Sequence, residues 1–230
     1  MSFPRHHKDK RTPLGVANSQ YTEISETMVA EALAPLGIRP NRELALAIRK
    51  YVELLLRWNQ KVSLTSITRP REILERHFGE SIFAATAIPI ERGCLVDLGS
   101  GAGFPGLPIK LFRPSLAAIL VESNLKKCAF LSEVCRTLQL EARVVNMRIE
   151  ALTTDELPEI DWITCRAVRP DRGLLRWAHA MLKPSGRIVF WLGEGDAAAV
   201  STVPHWTWRP AIRIPLSARR VLLCGEPQPK

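Results

Sequence analysis

Apolar side chains recur at two different periods along this chain, and the switch between them divides it. From Leu44 onward, Ile48, Tyr51, Val52, Leu55 and Trp58 follow at spacings that place them on one face of an α-helix. Asn41 suits its N-cap, because a short amide side chain accepts from the free N–H groups of a first turn. A shorter helix is predicted from Ile24 to Ala34, stopped by Pro35-Leu36-Gly37, and a third from Pro70 to Thr86, carrying Ile73, His77 and Ile82. Pro89 marks the change of period. Beyond it, β-rich runs are predicted as strands at Cys94 to Leu98, Ala117 to Glu122, Ala142 to Val145, Ile160 to Cys165 and Arg187 to Leu192. Helices fit between them at Gly106 to Phe112, Leu125 to Leu138 and Asp171 to Leu182. Strands apolar throughout and separated by helices specify a mostly parallel twisted sheet with helices on both faces. Trp206 to Ile214 and Arg219 to Cys224 read as a terminal antiparallel pair. The expected organisation is a flexible basic tail at 1–21, an N-terminal helical extension at 22–88 and an α/β core at 89–230.

Composition narrows the class. A length of 230 residues leaves room for one main core and a small extension. With 46% hydrophobic and 24% charged residues, the chain does not read as disordered, collagen-like or membrane-embedded. No run approaches the roughly 20 apolar residues of a membrane span, and the first residues lack the apolar middle of a secretory signal, so a cytoplasmic location is expected. The five cysteines are odd in number and show no ligand or redox spacing, which fits buried, inert thiols. The five histidines are isolated or lie in the tail, so no metal site is expected.

The net charge of +9 is uneven: residues 1–12 carry +3 and residues 205–230 carry +4, leaving +2 between them. Cationic ends around a nearly neutral body suit either a nucleic-acid partner or simple solubility.

The candidate chemistry begins where the first core strand ends, at Asp97-Leu98-Gly99-Ser100-Gly101-Ala102-Gly103-Phe104-Pro105-Gly106. Glycines at alternate positions let the backbone turn tightly and approach a ligand that side chains would block. Gly101, Gly103 and Gly106 satisfy a literal GxGxxG, which alone would suggest a dinucleotide. An acid immediately before the loop argues otherwise, since Asp97 would repel a pyrophosphate but accept hydrogen bonds from a cationic amino-acid moiety. S-adenosyl-L-methionine fits better. Glu122, at the end of the second strand, is placed to reach ribose hydroxyls, or else caps a helix. Asn146 to Glu150 and Arg166 follow the third and fourth strands, on the side where ligands of such sheets bind. An arginine leaving so apolar a strand is costly unless paired.

The run Gly99 to Pro108 resembles the hallmark loop of the bacterial 16S rRNA guanine-N7 methyltransferases, once called glucose-inhibited division protein B. The likeness extends to Trp58-Asn59 with Leu64-Thr65-Ser66, Arg76-His77 with Glu80-Ser81, Lys126-Lys127 with Phe130-Leu131, Arg148-Ile149-Glu150 and Arg166-Ala167-Val168. It spans about residues 24–224. The resemblance implies a Rossmann-like S-adenosylmethionine-dependent methyltransferase fold with a terminal antiparallel strand. It also implies that Gly99 and Phe104 line the methionine and adenosine path, Ile149 and Glu150 the adenine end, and Arg166 the cofactor or reaction centre. The implied partner is 16S ribosomal RNA or a small ribosomal subunit particle, and the chain is expected to act as a monomer. Ser63, Glu80 and Leu192 depart from the family pattern where it has Asn, Asp and the Lys of a Lys-Gly pair; Arg169 is also atypical and is a candidate replacement for that lysine.

Guanine N7 carries a free lone pair, so methylating it requires no general base, and the lack of an acid–base constellation is consistent with alignment-based catalysis. A fixed cation on N7 would oppose the charge that develops there. Arg148 and Arg166 are therefore expected on acceptor groups, with a structural ion pair the alternative for Arg148. Lys126, Lys127, the tail and Arg209, Arg213, Arg219 and Arg220 are candidates for phosphate contacts, and Trp206 and Trp208 for base stacking or for core. A nicotinamide-dependent oxidoreductase, a non-catalytic RNA-binding module and a methyltransferase for other acceptors are the competing readings.

Overall fold

The structure is a computed structural model, and it describes residues 24–153 and 157–229; the expected tail at 1–21 lies outside the described residues. Ser25 caps α1 (Glu26–Leu33), and Asn41 caps α2 (Arg42–Asn59) by accepting from the Leu44 N–H at 2.8 Å. The third predicted helix is not uniform. Its first turn, α3 (Pro70–Ile73), widens into a π-helical stretch at Leu74–Gly79 before α4 (Glu80–Ala87). Such widened turns are rare and often accompany functional sites.

The core runs β1 (Gly93–Leu98), α5 (Gly106–Phe112), β2 (Leu116–Glu122), α6 (Leu125–Leu138), β3 (Ala142–Asn146), β4 (Ile160–Arg166), α7 (Arg172–Met181), β5 (Leu182–Gly193), α8 (Glu194–Val200), β6 (Trp206–Trp208), β7 (Ile212–Arg213) and β8 (Arg220–Pro227). The sheet order is β3-β2-β1-β4-β5-β8-β6, with β7 also on β8. β1 to β5 pair in parallel and β8 pairs antiparallel to β5. The predicted α/β class and terminal antiparallel strand are thus present. The run from Trp206 to Ile214 is two short strands, because Pro210 has no N–H to continue a ladder. Helix α8 is not among the predicted helices, because its seven residues show too little periodicity.

Alternation along the strands decides what each face holds. In β1, Cys94, Val96 and Leu98 join a core formed with α7 and α8, while Leu95 meets α4 and α5 on the opposite face. The helical extension does not stand apart from the sheet. Ile48, Tyr51, Val52 and Leu55 of α2 share one core with Phe104, Leu107, Leu120, Phe130 and Leu131, so residues on both sides of the expected 88/89 boundary pack as one body.

Candidate functional site

The order of strands reverses between β1 and β4, and the loops after β1, β2, β3 and β4 meet above that point. Gly99, Gly101 and Gly103 have φ of +65°, +58° and +87°. At Gly103 a Cβ would strike the Tyr51 hydroxyl and come within 2.7 Å of Leu107 Cδ1, so the loop is seated on α2 only because that side chain is missing. Tyr51 Oη donates to Ala102 O at 2.6 Å, and burial pushes its pKa well up, keeping it a donor. A Cβ at Gly101, by contrast, meets nothing closer than 3.8 Å; this part of the loop borders open space.

Glu122 stands at the end of β2, in register with Asn146 of β3. Its Oε2 accepts from the Gly101 N–H at 2.9 Å and its Oε1 from the Asn124 N–H at 2.8 Å. A carboxylate has further lone pairs, so both oxygens retain capacity for ligand hydroxyls. Asn146 Nδ2 donates to the Glu122 and Ser123 carbonyls at 3.0 Å, tying the ends of β2 and β3 together. Beyond β3, a short 3-10 turn at Ile149–Ala151 presents half-buried Ile149 and exposed Arg148 and Glu150. Arg148 has no ion pair among the described residues.

Three expectations change. Asp97 does not reach the crevice: its side chain is fully buried beneath the loop, and Thr164 Oγ1, its register partner on β4, donates to Oδ1 at 2.7 Å. Oδ2 faces Gly106 with no hydrogen-bond partner among the described residues. Burial raises this carboxyl to about 6, against the pull of Thr164. Asp97 therefore supports the loop from below, because strand alternation turns it inward.

Phe104 also turns inward. It stacks on His77 with centroids 4.6 Å apart and on Tyr51 at 5.4 Å, forming the joint between the glycine loop and the helical extension. His77 meets Thr65 Oγ1 at 2.8 Å through Nε2, and burial, with the nearby arginines, lowers its pKa to about 3, so the ring is neutral. Thr65 lies in a loop held by Asn59, whose Oδ1 accepts from the Leu64 and Thr65 N–H groups at 2.9 and 3.0 Å.

Arg166 is the third. Alternation puts it on the same face as Trp162 and Thr164, towards α4, where it donates to the Arg76 carbonyl at 2.9 Å and pairs with Glu80 at 3.3 Å. Arg220 of β8 pairs with the same buried carboxylate, and Trp191 Nε1 donates to the Glu80 carbonyl. The charge that Arg166 carries out of β4 is thus met inside the protein. Thr164, Tyr51 and Arg220 escaped the sequence reading of this site; the period of two along β4 was the available signal for Thr164.

The terminal cations are largely committed as well. Arg209 pairs with Glu226 and Arg213 with Glu194, in addition to Arg220 with Glu80. Trp206 is buried and stacks on Trp208 at 5.4 Å, so the pair belongs to the core rather than to base stacking. A cavity of about 590 Å³ opens at the ends of β4 and β5, bordered by Val168, Arg169, Trp191, Leu192 and Val200, which brings Arg169 and Leu192 to one place. The described residues hold no cluster of metal-binding side chains and no helix long and apolar enough to cross a membrane.

The family model of rRNA small subunit methyltransferase G, GidB, matches residues 45–204. The ribosomal RNA small subunit methyltransferase G of Xanthomonas euvesicatoria pv. vesicatoria (strain 85-10) is 38% identical over 165 residues, covering 71% of this chain and 76% of that protein. The protein of the same name from Myxococcus xanthus (strain DK1622) is 37% identical over 178 residues, covering 76% and 81%. Among solved structures, MtNAS in complex with MTA and tNA is similar with a TM-score of 0.58 at 17% identity, covering 89% of this chain and 86% of that one. A ribosomal protein L11 methylase from Lactobacillus delbrueckii subsp. bulgaricus has a TM-score of 0.53 at 10% identity, covering 67% and 80%; these two likenesses show the fold. Because the sequence match begins within α2 and runs past α8, it takes in most of the helical extension together with the crevice, and the chain belongs to the rRNA small subunit methyltransferase G family of methyltransferases.

Proposed function

We propose that the protein transfers a methyl group from S-adenosyl-L-methionine to N7 of a guanine in 16S ribosomal RNA, in the crevice above β1 and β4. The observation that carries the reading is a glycine loop that borders open space at Gly101, with the Gly101 N–H held by a Glu122 carboxylate that has lone pairs to spare, within a chain of this methyltransferase family. The donor set fits the cofactor: Gly99 and Gly101 offer close backbone approach, Glu122 accepts from ribose hydroxyls, and Ile149 and Glu150 flank the adenine. The cofactor supplies an electrophilic methyl group on a sulfonium.

The protein's own task is alignment and exclusion of water. Glu122 orients the ribose while holding the loop through the Gly101 N–H, so cofactor binding and loop shape share one side chain. Asp97 and Thr164 brace the loop from beneath. Arg148, exposed and free of ion pairs among the described residues, is available for acceptor groups of the RNA, whereas Arg166 acts as a positioning residue through Glu80 and the Arg76 carbonyl. No side chain need remove a proton.

The test is methyl transfer from labelled S-adenosylmethionine to ribosomal subunits from a strain lacking this protein. Label is expected in 16S rRNA, with strand scission at the labelled guanosine after borohydride and aniline treatment, which marks N7 methylation. Label confined to protein, small molecules or another RNA overturns the substrate assignment.

A further inference from the structure

The cations that the sequence offers to a polyanion at its C-terminal end are mostly neutralised in the fold, and a different set is left free. Arg209, Arg213 and Arg220 each pair with a carboxylate. Arg169, Arg172 and Arg176, which belong to the nearly neutral middle of the chain, are exposed and have no ion pair among the described residues. Arg169 lies in the loop just past the end of β4 and borders the 590 Å³ cavity at the ends of β4 and β5. Arg172 and Arg176 stand one turn apart on α7 and border a second cavity, of about 560 Å³, with His179, His205 and Trp206. Val203 lines both cavities, so the two are neighbouring stretches of one groove. At its inner end, Val168 lines the first cavity and is also the residue that a Cβ on Gly99 would strike, at 2.6 Å. The groove therefore starts beside the glycine loop.

We infer that this groove is the track along which the RNA backbone lies, with Arg169, Arg172 and Arg176 on successive phosphates. The inference rests on the proposed function and assigns the surface through which it is exercised. Residues one helical turn apart lie about 5–6 Å from each other at Cβ, so Arg172 and Arg176 present two cations in line along the groove. The apolar floor of Val200, Val203 and buried Trp206 shapes the groove without offering a stacking face. Asp196 is the acid that borders the inner cavity, against three arginines along the whole length. Asp171 is occupied, its Oδ1 accepting from the Leu174 N–H at 2.8 Å as the N-cap of α7. An anionic chain is the occupant that this charge pattern fits, and the position beside Gly99 places it where an acceptor base must enter.

Each phosphate contact on a single strand adds about 0.7 to the slope of log affinity against log salt. Replacing Arg169, Arg172 and Arg176 together by Ala is expected to lower that slope by roughly two units and to weaken RNA binding at low salt by about ten-fold or more. Affinity for S-adenosylmethionine, measured by calorimetry on the same variant, should stay unchanged, which also reports an intact fold. The three single variants should each lower the slope by about 0.7, and the triple Lys variant should keep it. A control with Arg39→Ala and Arg92→Ala, at the amino edge of the sheet, should leave binding as it is. Wild-type transfer to 16S rRNA combined with an unchanged slope in the triple Ala variant, or with an equal fall in the control, overturns the groove and leaves the proposed function standing. Failure of the wild-type protein to methylate any RNA overturns that function and the groove with it.

Discussion

At the scale of single residues, the site is built from side chains whose charge state is set by burial. Asp97 is raised from its ordinary 3.8 to about 6, and His77 is lowered from 6.5 to about 3, both mainly by desolvation. Their effects on stability have opposite signs. The folded protein holds the Asp97 proton more tightly than the unfolded chain, so this contribution is lost as pH rises through about 6. The folded protein resists protonating His77, so that contribution is lost as pH falls from 6.5 towards 3. Between about pH 4 and 6 the two slopes oppose each other. Asp97→Asn removes one of them, and its stability in urea is expected to rise with pH across this window more steeply than that of the wild type. Identical pH profiles for the two proteins would sink this assignment. Asp97 reads in the sequence as a ligand contact and its inward turn is missed there, because an acid before a glycine loop carries no mark of which way it faces.

Elements meet at the glycine loop, and their junction is a hydrogen bond as much as a hydrophobic contact. Helix α2 was legible from its apolar stripe and its Asn41 cap, because both follow from the 3.6-residue period and the unsatisfied N–H groups of a first turn. That Tyr51 of this helix would close on Ala102, across 51 positions, was not. Tyr51→Phe keeps the ring among Phe78, Phe104 and Phe130 but leaves the Ala102 carbonyl buried without its donor. The variant should lose about 1–3 kcal/mol in equilibrium unfolding, the cost of an unsatisfied buried acceptor. It should also bind S-adenosylmethionine more weakly than wild type, since the loop is freed on the side that α2 holds; unchanged stability would show that the bond contributes nothing. The π-helical stretch before α4 escaped the sequence for a related reason: an apolar stripe reports that a face is buried, but not that one turn is wider than its neighbours.

For the whole molecule, a buried electrostatic cluster centres on Glu80, shared by Arg166 from β4 and Arg220 from β8 and tied to Trp191 through its carbonyl. It connects the helical extension to the β4-β5-β8 side of the sheet. Removing one member of such a buried group strands the others, so Glu80→Gln is expected to lower stability by about 3–5 kcal/mol. A urea midpoint like that of the wild type would mean that solvent already screens the cluster. The sequence by itself determined the alternation of strands and helices, the parallel sheet, the glycine loop and the acid at the end of β2. These follow from backbone periods and from steric needs satisfied within a few residues, which leave their mark locally. Only the tertiary structure decided which charges are consumed and which stay free: Glu80 and Arg220 meet from 140 positions apart, and Arg209 and Arg213 find Glu226 and Glu194. A formal charge is a property of composition, but its availability to a partner depends on what the fold sets beside it, and that juxtaposition has no period along the chain from which to be read.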